Sequence, residues 1–513
     1  MTTTSGSGML SPARGTALGV LAEQAEARFG DASSLVYEGR TITSAELGAR
    51  GRRFAGGLNG LGVRPGDRVA VCMANCPEVL ETYHAVWRLG AAVTPLLFLL
   101  SEAELRHALD DSGAVAVVTT PEFLPTVRAA ADGLDVRIVV AGAATDATTF
   151  GFDELAAADE ASLADVDPTG MAALLYTGGT TGRSKGVVLS HDALSSSAWA
   201  AVLSGIDDDH TRSLLPLPLA HAYGLLVSTM SLHAVRPNRT VLMRWFDPTG
   251  WLTLAQEHQV QVSAVVPTML RLLATLPLET FDLSALQRMV SGSAPLPAEV
   301  LHEWNRRVPT VEIVEGYGCS ETAALACTTP MGQAREGSVG RAAPGVELRI
   351  EATDGTDAAP DVEGEICIKS PALMTGYWHD PEATALALRD GWFHTGDVGH
   401  VDADGYLFVV DRIKDIIIRG GFNVYPRDVE EVLMQHPAVA VCAVVGRPDR
   451  EHGEEVIAFV QLHDGAAATP DELVDFARTH LSRVKYPREI HLIEQLPLTS
   501  IGKLDRKALR TRT

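Results

Sequence analysis

The segment that decides the fold is rich in glycine and hydroxyl groups, and it reads Tyr176-Thr177-Gly178-Gly179-Thr180-Thr181-Gly182-Arg183-Ser184-Lys185-Gly186. Apolar runs flank it at residues 172–175 and 187–189, which predicts a strand, a polar loop and a second strand. Glycines let the backbone approach an anion closely and turn its N–H groups toward it, while the threonines and Lys185 add donors. The pattern therefore favours a loop that binds a polyphosphate.

This loop differs from the Walker phosphate-binding motif. That motif needs Gly-Lys-Ser/Thr leading into a helix, whereas here Lys185 is followed by Gly186 and a β-type run. The alternative interpretation is a glycine-rich turn without a ligand. The density of hydroxyl groups and the lysine argue against that alternative.

The composition indicates a globular chain with more than one domain. Its 513 residues are too many for a single core. A net charge of -23 argues against general binding of nucleic acid or anionic membranes, and it requires a local cationic patch for any polyanionic substrate. The longest apolar stretches, such as residues 96–100, are shorter than the ~20 residues needed to span a bilayer.

The N-terminal residues and the cysteines indicate where the protein is located. Residues 1–8 lack the basic region and apolar core of a signal peptide, so the sequence predicts a disordered tail. The six cysteines are scattered, and Cys72 and Cys76 lack a second pair at zinc-site spacing. Free thiols in a reducing cytoplasm are expected.

Strand and helix patterns alternate through most of the chain. Thr43-x-x-Glu46 and Ser101-x-x-Glu104 are capping boxes that each predict a helix start. Residues 141–167 are rich in Ala, Asp and Thr and predict a surface connection. Apolar runs predict a buried, mostly parallel sheet with helices on its faces, with strands at residues 69–73, 91–94, 114–118, 136–140, 240–243, 262–266, 288–291 and 311–315.

The pattern changes twice toward the C-terminus. After Gly337, short strands at residues 346–350, 364–368 and 405–410 predict a small β-barrel-like subdomain. After Asp411 comes an α+β segment of about 100 residues, a usual domain size. The fold class is therefore α/β, with a large N-terminal lobe of layered, mostly parallel sheets and a small α+β C-terminal domain.

Candidate site residues follow predicted strands. The run Glu315-Gly316-Tyr317 lies where a strand ends, which is where open α/β sheets bind ligands. Tyr317 is able to stack on a purine, and Glu321 suits Mg²⁺, which takes one or two carboxylates together with phosphate oxygens. The alternative is a tight turn with a solvated glutamate.

For each of the other candidate residues, an ordinary structural role is the alternative to ligand binding. Ser293 and Ala294 follow a predicted strand, and they also fit an ordinary turn before a helix. Asp397 offers a carboxylate to a ribose diol and Arg412 a guanidinium to ribose or phosphate, although each also fits a surface ion pair. His221 lies among apolar residues, as either a core histidine or the wall of an acyl pocket.

Taken together, these stretches resemble the adenylate-forming superfamily, which includes acyl-CoA synthetases, nonribosomal-peptide adenylation domains and beetle luciferases. The resemblance covers nearly the whole chain, and the motifs occur in the family's order from Tyr176 to Lys503. Residues 416–426 are most similar to medium- and long-chain fatty acyl-CoA ligases. The resemblance implies an adenylation domain at residues 1–411, a hinge at 412–414 and a mobile C-terminal domain at 415–513.

The family's reaction has two steps. A carboxylate attacks the α-phosphate of ATP to give acyl-AMP and pyrophosphate, and a thiol of coenzyme A then displaces AMP. The resemblance implies that Glu321 and Thr181 hold Mg²⁺ and that Lys503 bridges the carboxylate and the α-phosphate. It assigns the β- and γ-phosphates to Thr177, Gly178, Gly179, Thr180, Thr181, Gly182 and Lys185.

The resemblance also implies roles at the nucleoside and at the thiol. Adenine is flanked by Tyr317 and the backbone near it, with binding residues Ser293, Ala294, Glu315 and Gly316. The ribose is held by Asp397 and Arg412, and His221 is a gate or wall of the acyl pocket. The C-terminal domain swings about Lys414 between the two steps, and Gly420 and Gly421 then line a tunnel for pantetheine.

The chain departs from the family pattern at a few positions. Gly178 stands where serine is usual and Ser184 where proline is usual, and Cys319-Ser320 replaces the usual apolar-Thr pair. Residues 95–100 are apolar where the family is more polar. A specialised pocket is therefore predicted, and the acid need not be a fatty acid.

The sequence predicts an AMP-forming acid–CoA ligase that uses a small-molecule carboxylic acid, of the fatty or a related acyl type, with ATP, Mg²⁺ and coenzyme A. A cytoplasmic monomer or homodimer without nucleic acid or transmembrane segment is expected. One alternative is adenylation of an aryl, dicarboxylic or non-carbon acid such as nitrite, with transfer to a carrier-protein thiol or an amine. Another is a non-catalytic nucleotide-binding regulator, against which the intact Lys503, Glu321 and Asp397 argue.

Overall fold

The computed structural model describes residues 15–177, 184–205, 209–498 and 504–512. The chain divides into two compact units. The first comprises residues 1–177, 184–347 and 369–391, and the second comprises 178–183, 348–368 and 392–513. The hinge predicted at residues 412–414 stays a prediction.

A seven-stranded sheet forms one layer of the first unit. Its strands are parallel except for the hairpin between the last two. Buried Trp251 and Trp304 belong to the core against this sheet. In spatial order the strands are Glu312–Glu315, Arg288–Ser291, Val262–Val265, Arg212–Leu215, Arg239–Leu242, Ser34–Tyr37 and Arg40–Thr43.

An eight-stranded sheet forms a second layer of the same unit. Six consecutive strands of this sheet pair parallel with one another. At one edge two further strands follow, and each pairs antiparallel with the strand before it. The antiparallel pair Met171–Thr177 and Lys185–Ser190 flanks the glycine-rich loop, so the predicted strand before and strand after it are confirmed. In order the strands are Gly376–Tyr377, Lys185–Ser190, Met171–Thr177, Ala92–Pro95, Arg68–Cys72, Ala116–Thr119, Arg137–Val140 and Thr149–Gly151.

Helices pack against these sheets, and both predicted capping boxes are confirmed. Glu46 N–H donates to the Thr43 hydroxyl while Thr43 N–H donates to the Glu46 carboxylate, and Ser101 and Glu104 make the same exchange. The α-helices of the first unit are Leu18–Phe29, Ser44–Gly60, Pro77–Arg88, Glu102–Ser112, Leu124–Ala131, Phe152–Leu155, His191–Ser204, Ala222–Met230, Pro248–Glu257, Pro267–Ala274, Ala298–Arg307 and Pro381–Ala387. Its remaining strands are Cys327–Thr328, Arg341–Ala342 and Leu388–Arg389.

The second unit contains two sheets. The first is a curled antiparallel sheet and corresponds to the predicted β-barrel-like subdomain, with strands Glu347–Glu351, Gly364–Lys369, Trp392–Val401 and Leu407–Arg412. The last of these begins later than predicted because Gly405, with φ +85°, lies in the preceding turn. The other sheet packs with helices Pro426–Met434, Pro470–His480 and Arg506–Arg510, and it has strands Phe422–Val424, Ile417–Arg419, Gly453–Leu462, Val439–Asp449 and Glu489–Leu492.

The segment at residues 141–167 differs from its prediction as a surface connection. It contains strand Thr149–Gly151 and helix Phe152–Leu155, and Phe152 is fully buried. The Phe152 ring stacks on Phe54 with centroids 3.8 Å apart. Gly57 permits this approach, because a Cβ there would lie 2.5 Å from the Leu155 carbonyl oxygen. The Ala- and Asp-rich composition of this segment gave no indication that Phe152 is buried.

The structure bears on two further predictions, which concern transmembrane segments and the state of the cysteines. Among the described residues, none of the helices combines the length and the hydrophobicity needed to cross a bilayer. The six cysteines, all among the described residues, are not joined in disulfides. The predicted oligomeric state and location stay predictions.

We predict that Phe152→Ala lowers the free energy of unfolding by about 3 kcal/mol, because it leaves a cavity beside Phe54. Phe150→Ala is the matched control, since the Phe150 side chain is 39% exposed, and we expect it to change stability by less than about 0.5 kcal/mol. Urea unfolding followed by circular dichroism measures both. Equal effects of the two substitutions would show that the segment is not anchored by Phe152.

Candidate active site

A cation and a carboxylate meet at one aromatic side chain in the first unit. The Tyr377 hydroxyl donates to Glu321 Oε1 at 2.9 Å. Lys185 Nζ lies 5.1 Å from the centroid of the Tyr377 ring and 3.0 Å from Asp380 Oδ2. The predicted phosphate-binding residue Lys185 and the predicted metal ligand Glu321 therefore both contact the Tyr377 side chain.

Backbone pairing explains why these distant segments meet. Gly376 and Tyr377 pair antiparallel with Val188 and Val187, just beyond Lys185 on its strand. Glu321 lies in the 3₁₀ turn Ser320–Thr322. Its carbonyl accepts a 2.8 Å hydrogen bond from Met374 N–H, which ties the turn to the segment that leads into Tyr377.

The electrostatics keep Tyr377 a hydrogen-bond donor. Burial and then the negative charge of Glu321 raise the pKa of Tyr377 well above its usual value. The phenol therefore stays protonated through the neutral range and continues to orient the Glu321 carboxylate. Tyr377 and Asp380 were missed by sequence reasoning, and the available signal was the glycine–aromatic run Gly376-Tyr377-Trp378.

Two neighbouring strand ends bring the predicted adenine residues together. Strands Arg288–Ser291 and Glu312–Glu315 are parallel, with Ser291 opposite Glu315, and Gly316 N–H donates to the Ser291 carbonyl at 2.9 Å. Tyr317 follows directly. Because both strands end at the same edge, the segment with Ser293 and Ala294 and the segment with Glu315, Gly316 and Tyr317 leave the sheet side by side.

Local bonds shape these two segments further. Glu315 Oε2 accepts a hydrogen bond from Leu296 N–H at 3.0 Å, which joins the two turns. Ser293 has φ +69°, a left-handed conformation that is uncommon for a residue other than glycine. Tyr317 N–H donates to the Cys327 carbonyl at 3.1 Å, so the backbone beneath its ring is held.

His221 begins a helix at the same sheet edge. Its Nδ1 accepts the N–H of Tyr223 at 3.3 Å, which caps helix Ala222–Met230. The Tyr223 hydroxyl donates to the Val290 carbonyl at 3.2 Å, and a Cβ at Gly292 would lie 3.4 Å from the Tyr223 ring. Tyr223, which was not singled out from the sequence, thus packs its ring on the glycine backbone at a strand end.

The second unit holds the remaining described candidates. Asp397 and Arg412 are opposite each other on paired strands, and Arg412 Nε lies 3.1 Å from Asp397 Oδ1. Lys414 lies in the 3₁₀ turn Ile413–Asp415, where burial and then the charge of Arg412 lower its pKa. Gly420 and Gly421, with φ +59° and +81°, form the two-residue turn of a hairpin, a conformation that favours glycine at both positions.

Several predicted site residues lie outside the described residues. They are Gly178, Gly179, Thr180, Thr181, Gly182 and Lys503. Thr177 is described as the last residue of its strand, and its carbonyl accepts the Ser184 hydroxyl at 2.7 Å. The structure thus describes both residues that border the glycine-rich loop.

Two family models and several known proteins match this chain over most of its length. Residues 21–378 match the family model of the AMP-binding enzyme, and residues 428–503 match that of the AMP-binding enzyme C-terminal domain. The chain is 39% identical to a feruloyl-CoA synthase of an Amycolatopsis species over 489 residues, covering 94% of this chain and 96% of that protein. It is 34% identical to a long-chain-fatty-acid–CoA ligase of Bacillus subtilis, covering 94% and 92%.

A solved structure agrees with these matches. The amide bond synthetase McbA from Marinactinospora thermotolerans is 32% identical, with a TM-score of 0.86, and the match covers 96% of this chain and 99% of that one. The similarity extends over both units of the fold.

We predict that Gly224→Ala destabilises the protein. A Cβ at Gly224 would lie 2.7 Å from the Leu219 Cα and closer still to the Pro218 carbonyl oxygen, so the turn that carries His221 must shift, at a cost of about 1–3 kcal/mol. Gly60→Ala is the control, because open space surrounds that position at the end of another helix. Thermal unfolding compares the two, and an unchanged midpoint for Gly224→Ala would contradict the close packing of the turn.

Proposed function

The chain belongs to the AMP-binding enzyme family, the adenylate-forming superfamily that its motifs predict, and we propose that it joins an aromatic carboxylic acid to coenzyme A in two steps. It is an AMP-forming acid–CoA ligase, in agreement with the family match and with the two relatives, which are named feruloyl-CoA synthase and long-chain-fatty-acid–CoA ligase. The contact among Lys185, Tyr377 and Glu321 carries the proposal, because it offers a cation for phosphate and a carboxylate for a metal at one place.

We assign Lys185, which lies within the described part of the chain, to binding the phosphates of ATP. Its ion pair with Asp380 is partly exposed, with side-chain exposures of 45% and 38%, so exchanging that partner for a phosphate oxygen costs little. The proposal assigns Gly178, Gly179, Thr180, Thr181 and Gly182 to the same phosphates as backbone and hydroxyl donors, and it assigns Thr177 to the start of the loop. A local patch of this kind lets a chain of net charge -23 bind a polyanion.

Glu321 is suited to be a ligand of Mg²⁺. Its carboxylate is a hard oxygen donor whose Oε1 is oriented by the Tyr377 hydroxyl, and bound Mg²⁺ typically takes one or two carboxylates and phosphate oxygens. Thr181 supplies a second oxygen in this proposal. The ion would neutralise charge on the phosphates.

Further residues are assigned to the adenosine part of ATP. Tyr317 and the backbone of Ser293, Ala294, Glu315 and Gly316 flank the adenine. Asp397 accepts hydrogen bonds from the ribose hydroxyls, and the paired Arg412 donates to a ribose or phosphate oxygen.

The chemistry then follows from charge. An oxygen of the acid attacks the α-phosphorus, the bond to pyrophosphate breaks, and Lys503 stabilises the negative charge of the transferring group. In the second step the sulfur of coenzyme A attacks the activated carbonyl carbon, and AMP leaves. We assign Lys414 to the hinge that exchanges Lys503 for the Gly420-Gly421 turn, whose small residues leave room for pantetheine.

The shape of the sheet edge favours an aromatic acid. Tyr223 packs on Gly292 beside Gly316, which supplies a flat surface of ring and backbone next to His221. Aromatic rings pack well on such surfaces. The 39% identity to a protein named feruloyl-CoA synthase supports the same class, whereas the fatty-acid relative is 34% identical.

An amine acceptor is the second candidate for the last step. The neighbouring structure with a TM-score of 0.86 is named an amide bond synthetase, and its match covers both units of this chain. The second half-reaction, and not the adenylation, distinguishes the two candidates.

We predict that the purified chain releases pyrophosphate fastest with phenylpropenoic acids such as ferulate, and that adding coenzyme A then yields the thioester. A panel containing ferulate, benzoate, decanoate and malonate, analysed by pyrophosphate release and mass spectrometry, measures this. A preference for decanoate would replace the aromatic acid by a fatty acid. Adenylation without any thioester, and with amide when an amine is added, would favour the amine acceptor.

We predict that Glu321→Gln lowers kcat/KM for Mg·ATP about 100-fold or more and shifts the Mg²⁺ dependence to higher concentration, because the amide is a weaker ligand. Tyr377→Phe keeps the ring near Lys185 and removes the hydroxyl, so we expect a loss of about tenfold. Glu382→Gln is the matched control on exposed helix Pro381–Ala387 and should leave both quantities unchanged. An unchanged Mg²⁺ dependence for Glu321→Gln would remove Glu321 from the metal site.

A further inference from the structure

One buried amide joins the two sheets of the first unit. Asn75 follows strand Arg68–Cys72 of the eight-stranded sheet and is 2% exposed. Its Nδ2 donates to the Leu217 carbonyl at 2.8 Å and to the Met243 carbonyl at 3.0 Å, and its Oδ1 accepts from Leu219 N–H at 2.8 Å. All three bonds go to backbone groups that follow strands of the seven-stranded sheet.

A second side chain from the same side holds the same loop. Tyr83, fully buried on helix Pro77–Arg88, donates its hydroxyl to the Leu219 carbonyl at 3.0 Å. Leu219 therefore has its N–H bound by Asn75 and its carbonyl bound by Tyr83. Residues 216–220 are thereby held through the two consecutive peptide groups that flank the Leu219 Cα, and they pack against Gly224.

The fixed loop ends at His221. His221 N–H donates to the Pro218 carbonyl at 3.3 Å, and His221 in turn caps the helix that carries Tyr223. A displacement at Leu219 therefore moves the groups that face the acid, although Asn75 and Tyr83 belong to the opposite layer. Buried bonds to backbone are costly to break, which makes this connection stiff.

We infer that Asn75 and Tyr83 are positioning residues that set acid selectivity by fixing the loop at residues 216–220 beneath His221 and Tyr223. Because His221 and Tyr223 are assigned to the acid by the proposed function, this inference rests on that function. The adenine and phosphate residues lie on other segments, so the effect is specific to the acid.

Tyr83→Phe tests the inference with the smallest change, since it removes one hydroxyl and keeps the ring. We expect the KM for the preferred acid to rise about tenfold, the KM for ATP to stay constant, and the ratio of kcat/KM between an aromatic and a linear acid to fall by about threefold or more. Ser112→Ala is the matched control, because its buried hydroxyl also donates to a backbone carbonyl, that of Leu109.

The ratio between two acids separates positioning from general damage, because it does not depend on how much of the protein is folded. An unchanged ratio in Tyr83→Phe, with wild-type protein that still discriminates the acids, would overturn the inference and leave the proposed function intact. Wild-type protein that adenylates none of the acids would instead overturn the proposed function. Asn75→Ser is the stronger variant, and where it is soluble we expect the same shift in ratio to be larger.

Discussion

The hydrogen bond from Tyr377 to Glu321 depends on three segments that are far apart in the sequence. The strand that begins at Lys185 pairs with Gly376–Tyr377, and the turn at Glu321 is tied to Met374, two residues before that pair. A carboxylate and an ammonium group close together would otherwise neutralise each other. The Tyr377 hydroxyl binds Glu321, while Lys185 lies over the Tyr377 ring and pairs with Asp380.

The carboxyl ends of strands in the seven-stranded sheet carry another part of the proposed site. Parallel strands end together, so the turns after Arg288–Ser291 and Glu312–Glu315 leave side by side, and helix Ala222–Met230 begins beside them. The edge combines glycine backbone with aromatic rings. This arrangement suits a ligand that is flat and apolar at one end and anionic at the other, as an acyl adenylate with an aromatic acid would be.

Each of the two units holds residues that the proposed function uses. The first presents Lys185 and Glu321 on paired backbone, while the second presents Asp397 and Arg412 as a cross-strand pair and Gly420-Gly421 as a hairpin turn. A two-step reaction benefits from such a division, since different groups are required at one carbon in succession. The hinge and the roles of individual residues stay predictions.

Local patterns determined much of what could be predicted here. The capping boxes at Thr43 and Ser101, the strands around the glycine-rich loop and the strand ends before Ser293 and Gly316 depend on residues close in sequence, and the structure contains them. The burial of Phe152 was missed because its partner Phe54 lies on another element and the surrounding composition is polar.

The sequence by itself determined the family, the α/β class with layered, mostly parallel sheets and the chemical types at the site, because motifs and short periodicities carry this information. Only the tertiary structure decided that Tyr377 bridges Lys185 and Glu321, that Tyr223 packs on Gly292, and that Asn75 joins the sheets. Those contacts depend on strand register and on the packing of one layer against another. Neither leaves a signal in the residues that lie next to each other along the chain.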